Sequence, residues 1–345
     1  MSVIVFGGSG FIGSRFIKRL HDIGADTIIN IDKLSYASDQ SNLDFIENSK
    51  NYFFYEEDIN NKDKIREIIK KFNPKYFINF AAETHVDNSI ESSYEFIKTN
   101  VLGVQVLLDL FREHYSKSDK EVKYKFIQVS TDEVYGDLAI TDNPFTEENK
   151  YSPKNPYSAS KAAGDHLVFS YINTYRLPLV ITNCSNNYGP NQHRDKLIPK
   201  TVYSALNKIR IPIYGDGTNI RDWIYVDDHC DALIRVMNSR CNNNHFNIGG
   251  NCELENINLV RQICNILSNK LNNKVDFKKL ITFVHDRPGH DYRYAIDNSL
   301  IKETLNWKPE TEFSRGISDT IDFYLKKFQA EFVKDSSNNY LKDII

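Results

Sequence analysis

The sequence predicts an α/β fold: a doubly wound parallel sheet with helices on both faces, then a smaller, mixed α/β C-terminal domain. Three observations predict it. Short apolar runs alternate with amphipathic stretches through the first half of the 345 residues. The runs are continuously apolar, as strands buried on both faces are. A glycine-rich turn joins the first run to the first amphipathic stretch, as in sheets that bind ligands beyond the carboxyl ends of their strands.

The elements follow in order. Val3 to Phe6 reads as a strand and about Phe11 to Ile23 as a helix. Thr27 to Ile31 is a second strand, and Tyr52 to Tyr55 a third. A helix is expected from Lys62 to Phe72, and a fourth strand over Tyr76 to Phe80. One long helix covers Tyr94 to His114. Lys125 to Val129 is a fifth strand, and a helix from Ser158 to Tyr175 leads to Leu179 to Thr182. After Asn183 the rhythm breaks. Gly, Pro, Asn and Asp crowd Asn186 to Gly217, so loops are expected to outnumber strands there, laid over the sheet's carboxyl edge. Glu331 to Ile345 reads as a polar, frayed tail, and Asn242 to Asn244 as loop filler.

The bulk properties narrow the function. A net charge of −3 argues against nucleic acid or an anionic membrane as the main partner. No apolar run is long enough to span a bilayer. The five cysteines, Cys184, Cys230, Cys241, Cys252 and Cys264, are odd in number and widely spaced, with no Cys-x-x-Cys pair. Neither a disulfide framework nor a zinc site is expected, and no metal. Val3 to Phe6 already reads as a strand where a signal peptide would begin, so the cytoplasm is the expected compartment.

Gly7-Gly8-Ser9-Gly10-Phe11-Ile12-Gly13 carries the first chemistry. Gly7 permits the tight turn, Gly10 lets backbone approach a pyrophosphate, and Gly13 lets the helix pack on the sheet. The helix N-terminus favours the phosphate charge. The Gly-x-x-Gly-x-x-Gly spacing is a variant typical of short-chain dehydrogenase relatives, whose sheet is Rossmann-like. Asp32 ends the second strand, where a carboxylate accepts from an adenosine ribose and repels a 2′-phosphate. NAD is thereby favoured over NADP, although Lys33 next to it could tolerate a phosphate. Asp58-Ile59 ends the third strand and could contact the adenine, or Asp58 could be a loop aspartate.

Tyr157 and Lys161 lie four apart on a helix and so share a face. Tyrosine titrates near pH 10, too high for a base at neutral pH, and a nearby ammonium lowers it. The pair suits removal of a hydroxyl proton as hydride leaves carbon. Ser130 to Gly136 follows the fifth strand and sets Thr131 beside Asp132 and Glu133. An alcohol dehydrogenase needs the hydroxyl but not two carboxylates. Elimination of water needs both, one to protonate the leaving hydroxyl and one to take a proton from carbon.

Together these residues resemble the 4,6-dehydratases of dTDP-glucose, in the extended short-chain dehydrogenase family. The resemblance runs from the first strand to about Tyr324. It includes Asp32 to Tyr36, Ala81 to Asp87, Thr131 to Gly136, Pro156 to Lys161 and Asn183 to Pro190. It continues through Lys196 to Pro199, Arg221 to Trp223 and Asp286 to Asp291.

The resemblance implies roles. Tyr157 is the base for C4 oxidation, Thr131 hydrogen-bonds the same hydroxyl, and Lys161 holds the nicotinamide ribose of NAD. Glu133 removes the C5 proton and Asp132 protonates the departing C6 hydroxyl. Phe11, Ile12, Asp32, Lys33, Asp58, Ile59, Ala81, Ala82, Thr99 and Asn187 join the three glycines around NAD. Thr84, Asn186, Lys196, Leu197, Pro212, Tyr214, Arg221, Asn251, Asp286, Arg287, His290 and Tyr292 surround the nucleotide sugar. Arg221 suits bidentate phosphate binding. Residues 1–183 with about 219–248 would form the NAD-binding domain, 184–218 with about 249–330 the nucleotide-sugar domain, and 331–345 the tail. A homodimer is implied, through a four-helix bundle of helices near Val101–His114 and Ser158–Tyr175.

Two stretches depart from the family pattern and four divide it. Asn251-Cys252-Glu253 differs after Asn-Ile-Gly-Gly, and Gln192-His193-Arg194-Asp195 replaces an aromatic-Pro-Glu stretch. Ser38 to Asp44 and Thr84 to Ser89 look closer to the UDP-glucose 4,6-dehydratases of eukaryotes. Arg221 to Trp223 and Pro288 to Asp291 look closer to the dTDP enzymes, which favours dTDP-glucose over UDP-glucose. A UDP-sugar 4-epimerase or a UDP-glucuronate decarboxylase would share the Tyr-Lys pair without needing Asp132 and Glu133 in these roles. A non-catalytic NAD-binding scaffold would not need Thr131, Tyr157 and Lys161 together.

Overall fold

The computed structural model describes residues 1–119, 122–240, 245–272 and 275–334. Strand β1 (Ser2–Phe6) passes through the glycine turn into helix α1 (Phe11–Asp22). β2 (Thr27–Asp32) and β3 (Tyr52–Glu56) precede α2 (Lys62–Phe72), and β4 (Tyr76–Asn79) follows it. β5 (Lys125–Thr131) leads, after a long loop, to α6 (Pro156–Tyr175) and β6 (Leu179–Cys184). These strands, with β10 (His245–Ile248), form one parallel sheet in the order β10-β6-β5-β4-β1-β2-β3. The strand order reverses between β1 and β4, which opens a crevice at their carboxyl ends.

Strand period decides the two faces. Val3 and Val5 of β1 pack into one apolar cluster with Phe16, Ile17 and Leu20 of α1. Ile4 and Phe6 point the other way, into a cluster with Ile65 of α2 and Phe111. Both sets are fully buried, which is why Val3 to Phe6 are all apolar.

The long helix expected over Tyr94 to His114 runs without a gap to Ser116, as α4 (Tyr94–Ile97), a π turn (Lys98–Gly103) and α5 (Val104–Ser116), with right-handed helical backbone at each junction. Gly164 of α6 crosses the π turn closely; a Cβ there would lie 2.5 Å from the Asn100 carbonyl. A short helix α3 (Val86–Glu91), capped by His85, was not expected. α6 begins two residues before the expected Ser158, with Asn155 accepting from the Ser158 N–H and Pro156 in the first turn.

The second half is more regular than its Gly, Pro and Asn content predicts. β7 (Asn186–Tyr188) and α7 (Leu197–Leu206) precede β8 (Ile211–Tyr214) and β9 (Ile220–Tyr225). Pro199 disguises α7, yet it sits in the first turn, where no backbone N–H is needed. α8 (Val226–Asn238) then returns to the main body: Arg15 of α1 grips Asp227 through two hydrogen bonds of 2.8 and 2.5 Å. β11 (Glu253–Glu255), α9 (Asn256–Lys270) and β12 (Ile281–Val284) follow. β7, β9 and β11 form a three-stranded sheet, and β8 pairs with β12. A separate apolar cluster lies beneath them, built from α7, α9 and α11 (Phe313–Lys334), with α10 (Ser299–Leu305) on the main sheet side. α11 extends through Lys334, into the segment read as a polar tail; 335–345 lie outside the described residues, as do Cys241 and Asn242 to Asn244.

Candidate active site

The glycine turn is built by close backbone approach. Gly7 has φ of 76°, and a Cβ on it would lie 2.7 Å from the Ala81 amide nitrogen across the crevice. A Cβ on Gly13 would lie 2.2 Å from the Gly7 carbonyl, so Gly13 seats α1 on the turn itself rather than on the sheet. Gly10 is the N-cap of α1 and offers no side-chain cap, which leaves the first-turn amides facing the crevice. Asp32, nearly buried, accepts from Ser9 N, Leu34 N and Ser38 Oγ, each at 2.9 Å. It therefore braces the turn and still has lone-pair capacity for ribose hydroxyls. Lys33 pairs with Glu83 at 2.8 Å and donates to Thr99 at 3.3 Å. Its charge is already compensated, which weakens it as a 2′-phosphate ligand.

A cleft of about 290 Å³ runs from this turn to the end of β5. Gly7, Gly10, Phe11, Ile12, Gly13, Asp32, Lys33, Ile59, Ala81, Ala82 and Thr99 line it. So do Thr131, Asp132, Glu133, Tyr157, Lys161 and Asn187. Asp58 does not; its carboxylate folds back on Asn60, at 2.8 Å to N and 2.9 Å to Nδ2. Glu57 lines the cleft in its place. Uncapped helix amides, a ribose-facing carboxylate and apolar walls at Ile59 and Ala81 together fit a dinucleotide such as NAD.

At the inner end, the chain makes a 3-10 turn over Asp132–Tyr135, with Thr131 Oγ1 accepting from Glu133 N at 3.3 Å. Gly136 closes the turn with φ of 94°. Burial is the first influence on all the groups here. It pushes Asp132 well above the carboxylate range, and Glu133 and Asp222 push it further. Asp132 Oδ2 has no hydrogen-bond partner among the described residues. Burial also raises Glu133, but Arg221, Arg287 and Lys196 pull it back. Tyr157 is pushed up by burial and then by Glu133, while Thr131 opposes the shift. Lys161 lies one turn along α6 from Tyr157, and its ammonium donates to the Val129 carbonyl at 2.8 Å. Asn187 is held on both sides, by Ser185 O at 3.0 Å and by the ring of His229 at 2.9 Å.

A second pocket of about 300 Å³ opens from the first. The two share Thr84, Glu133, Asn186, Asn187, Gln192 and Lys196, so Glu133 faces both. Leu197, Pro212, Tyr214, Arg221, Arg287 and His290 line the second pocket, as the sequence reading has them. Arg221 is less free than a phosphate fork. It gives hydrogen bonds to the carbonyls of Ile220, Asp291 and Tyr292, and it stacks on Tyr294 at 4.3 Å. Three expected residues fall outside the lining. Asn251 bonds Asn298 at 3.2 Å, Asp286 sits behind His290 at 2.7 Å, and Tyr292 is partly exposed. Sequence reasoning missed Asn256, Lys200 and Tyr294, which line the pocket and stand in no motif. It also missed Asp165, which the i, i+4 spacing from Lys161 marks out.

Comparison with known proteins places this geometry. The family model described as GDP-mannose 4,6 dehydratase matches residues 4–320. The chain is 44% identical over 331 residues to the dTDP-glucose 4,6-dehydratase of Haemophilus influenzae, covering 94% of this chain and 98% of that protein. The crystal structure of the dTDP-glucose 4,6-dehydratase of Bacillus anthracis in complex with NAD superposes with a TM-score of 0.85 at 39% identity, covering 95% of this chain and 98% of that one. The Streptomyces venezuelae enzyme of the same name, also solved with NAD bound, gives a TM-score of 0.88 at 35% identity, covering 96% and 98%.

Proposed function

We propose, because the chain belongs to the dTDP-glucose 4,6-dehydratase family, that it converts dTDP-glucose to dTDP-4-keto-6-deoxyglucose, a step of deoxysugar biosynthesis. It is an NAD-dependent hydro-lyase, and bound NAD supplies reversible hydride exchange with the sugar. The glycine turn, the α1 amides and Asp32 hold the pyrophosphate and ribose, and Lys161 with Asn187 orients the nicotinamide end. The nucleotide and sugar lie in the second pocket, with the diphosphate near Lys196, Arg221 and Arg287.

The chemistry falls to four side chains. Tyr157 takes the C4 hydroxyl proton, with Thr131 on the same oxygen. A ketone at C4 acidifies the C5 hydrogen, and Glu133 removes it. Asp132 gives its proton to the C6 hydroxyl, which leaves as water. Glu133 returns a proton to C5 when C6 is reduced and so ends as it began; Tyr157 then releases to water the proton it took from the C4 hydroxyl, and Asp132 takes one up from water, which readies both for the next turnover. The observation that carries this reading is the unequal pair. Asp132 is the more deeply buried acid and holds its proton, while three cations keep Glu133 closer to ionisation. Plain oxidation or epimerisation at C4 has no use for such a pair.

We also infer the division of labour along the chain. Residues 1–183, with α8 and β10, carry the cofactor; 184–218 and about 249–330 carry the nucleotide sugar. β9 sits with β7 in the small sheet and brings Arg221 to that second part. A homodimer through α5 and α6 is supported by the exposed Leu102 and Tyr175 beside them. A cytoplasmic setting is supported by the free thiols of Cys184, Cys230, Cys252 and Cys264. No helix among the described residues is long and apolar enough to cross a membrane.

The test is turnover of dTDP-glucose against UDP-glucose, following the 4-keto product. Faster conversion of dTDP-glucose to a 4-keto-6-deoxy product is expected. A 4-epimer as product would overturn the reading.

A further inference from the structure

Lys161 is a buried ammonium whose one hydrogen bond among the described residues goes to the Val129 carbonyl. A charge so placed needs compensation, or it gives up its proton. α6 supplies a candidate one turn further on. Tyr157, Lys161 and Asp165 recur at four-residue spacing, and all three are buried. Asp165 has no exposed surface and is the carboxylate whose charge acts on Lys161.

The same carboxylate is tied to β5. Ser130 Oγ donates to Asp165 Oδ2 at 2.5 Å. Three successive β5 residues are thus engaged: Val129 holds Lys161, Ser130 is held by Asp165, and Thr131 enters the reacting site. Behind Ser130, Asn183 donates to the Thr131 carbonyl at 2.8 Å and receives Tyr151 at 3.2 Å and the ring of His245 at 2.5 Å.

The other titratable groups facing the pair carry no charge near neutral pH. Burial pushes the Cys184 thiol of β6, which faces Lys161, up to about 12. It pushes Tyr151, which faces Asp165 from the loop before α6, and Tyr135, which faces it from the turn after β5, far above their ordinary values. His245 of β10, beyond Asn183, is driven down to about 4. Asp165 itself is raised by burial to about 6, with Lys161 and Ser130 holding it down.

We infer that Asp165 is a positioning residue for catalysis: it acts through Lys161, keeping that side chain an ammonium, and fixes the end of β5 that presents Thr131. The inference rests on the reading of Lys161 given above. Asp165→Asn keeps the shape and the Ser130 bond but removes the charge. Without it Lys161 loses its proton at lower pH, so the alkaline limb of kcat moves down by about one unit or more. Above that limb kcat falls about tenfold per unit shifted, while KM for the sugar nucleotide stays within about twofold. NAD affinity, read by protein fluorescence without substrate, weakens over the same pH range. Asp165→Glu restores the limb in part.

An unchanged kcat–pH profile in Asp165→Asn, with or without a lower melting temperature, overturns the inference and leaves Asp165 a packing residue. Lys161→Met separates the two failures. Full turnover in Lys161→Met sinks the reading of the site itself. An inactive Lys161→Met beside a wild-type profile in Asp165→Asn sinks this inference alone.

Discussion

Asp132 and Glu133 are neighbours in sequence, yet they meet different fields. Asp132 lies among carboxylates, and Glu133 lies among Lys196, Arg221 and Arg287. Acid and base roles follow from that difference alone. Glu133→Gln is expected to stop solvent deuterium exchange at C5 while C4 oxidation continues, with turnover reduced about 10²–10⁴-fold. Deuterium at C5 at the wild-type rate would remove Glu133 from the mechanism. For Asp132 the useful observable is pH. Its raised pKa keeps it protonated to higher pH than an ordinary carboxylate, and activity falls as pH rises through that value. Asp132→Asn should lower kcat and erase that limb; a pH profile parallel to wild type counts against it. Tyr157 and Lys161 were legible from spacing, and so were the two carboxylates. The tuning was not, because burial and the cations around Glu133 come from elements far apart in the chain.

The element that matters most is the turn after β5. Gly136 closes it at positive φ, and a Cβ there would lie 2.4 Å from the Ser152 carbonyl. Backbone cannot step aside cheaply, and the conformation disfavours any L side chain. Gly136→Ala is expected to cost about 1–3 kcal/mol in urea unfolding and to depress kcat by displacing Glu133. Wild-type kcat in a stably folded variant would show that the turn tolerates movement. Strands β1 to β6 were readable because each carries a run of apolar residues, which in β1, β2, β4, β5 and β6 is buried on both faces. The π turn within the long helix was not. It is bound up with the close crossing of Gly164 on α6, a contact more than sixty residues away in the chain. α7 was hidden by Pro199, and α3 by its shortness.

At the scale of the whole molecule, two bodies meet at Glu133, one built on the parallel sheet and one on the small sheets. Leu102, half exposed, projects from the π turn ahead of α5, and Tyr175 ends α6 beside Arg112 at 4.5 Å. Sedimentation at micromolar concentration should show a dimer, and Leu102→Glu should shift it toward monomer by burying a charge without a partner. A wild-type monomer would refute the bundle.

The sequence by itself determined the sheet, the glycine turn, the Tyr157–Lys161 pair and the presence of two carboxylates at a strand end. All of these are local: they depend on periodicity, on spacing along one helix, or on a turn between adjacent elements. Only the tertiary structure decided that burial raises Asp132, that Lys33 is already paired with Glu83, and that Asp165 is buried and tied to Ser130. It also decided that Asp58 turns away from the cleft. Protonation and charge compensation depend on burial and on distances between residues remote in sequence, which no local pattern encodes.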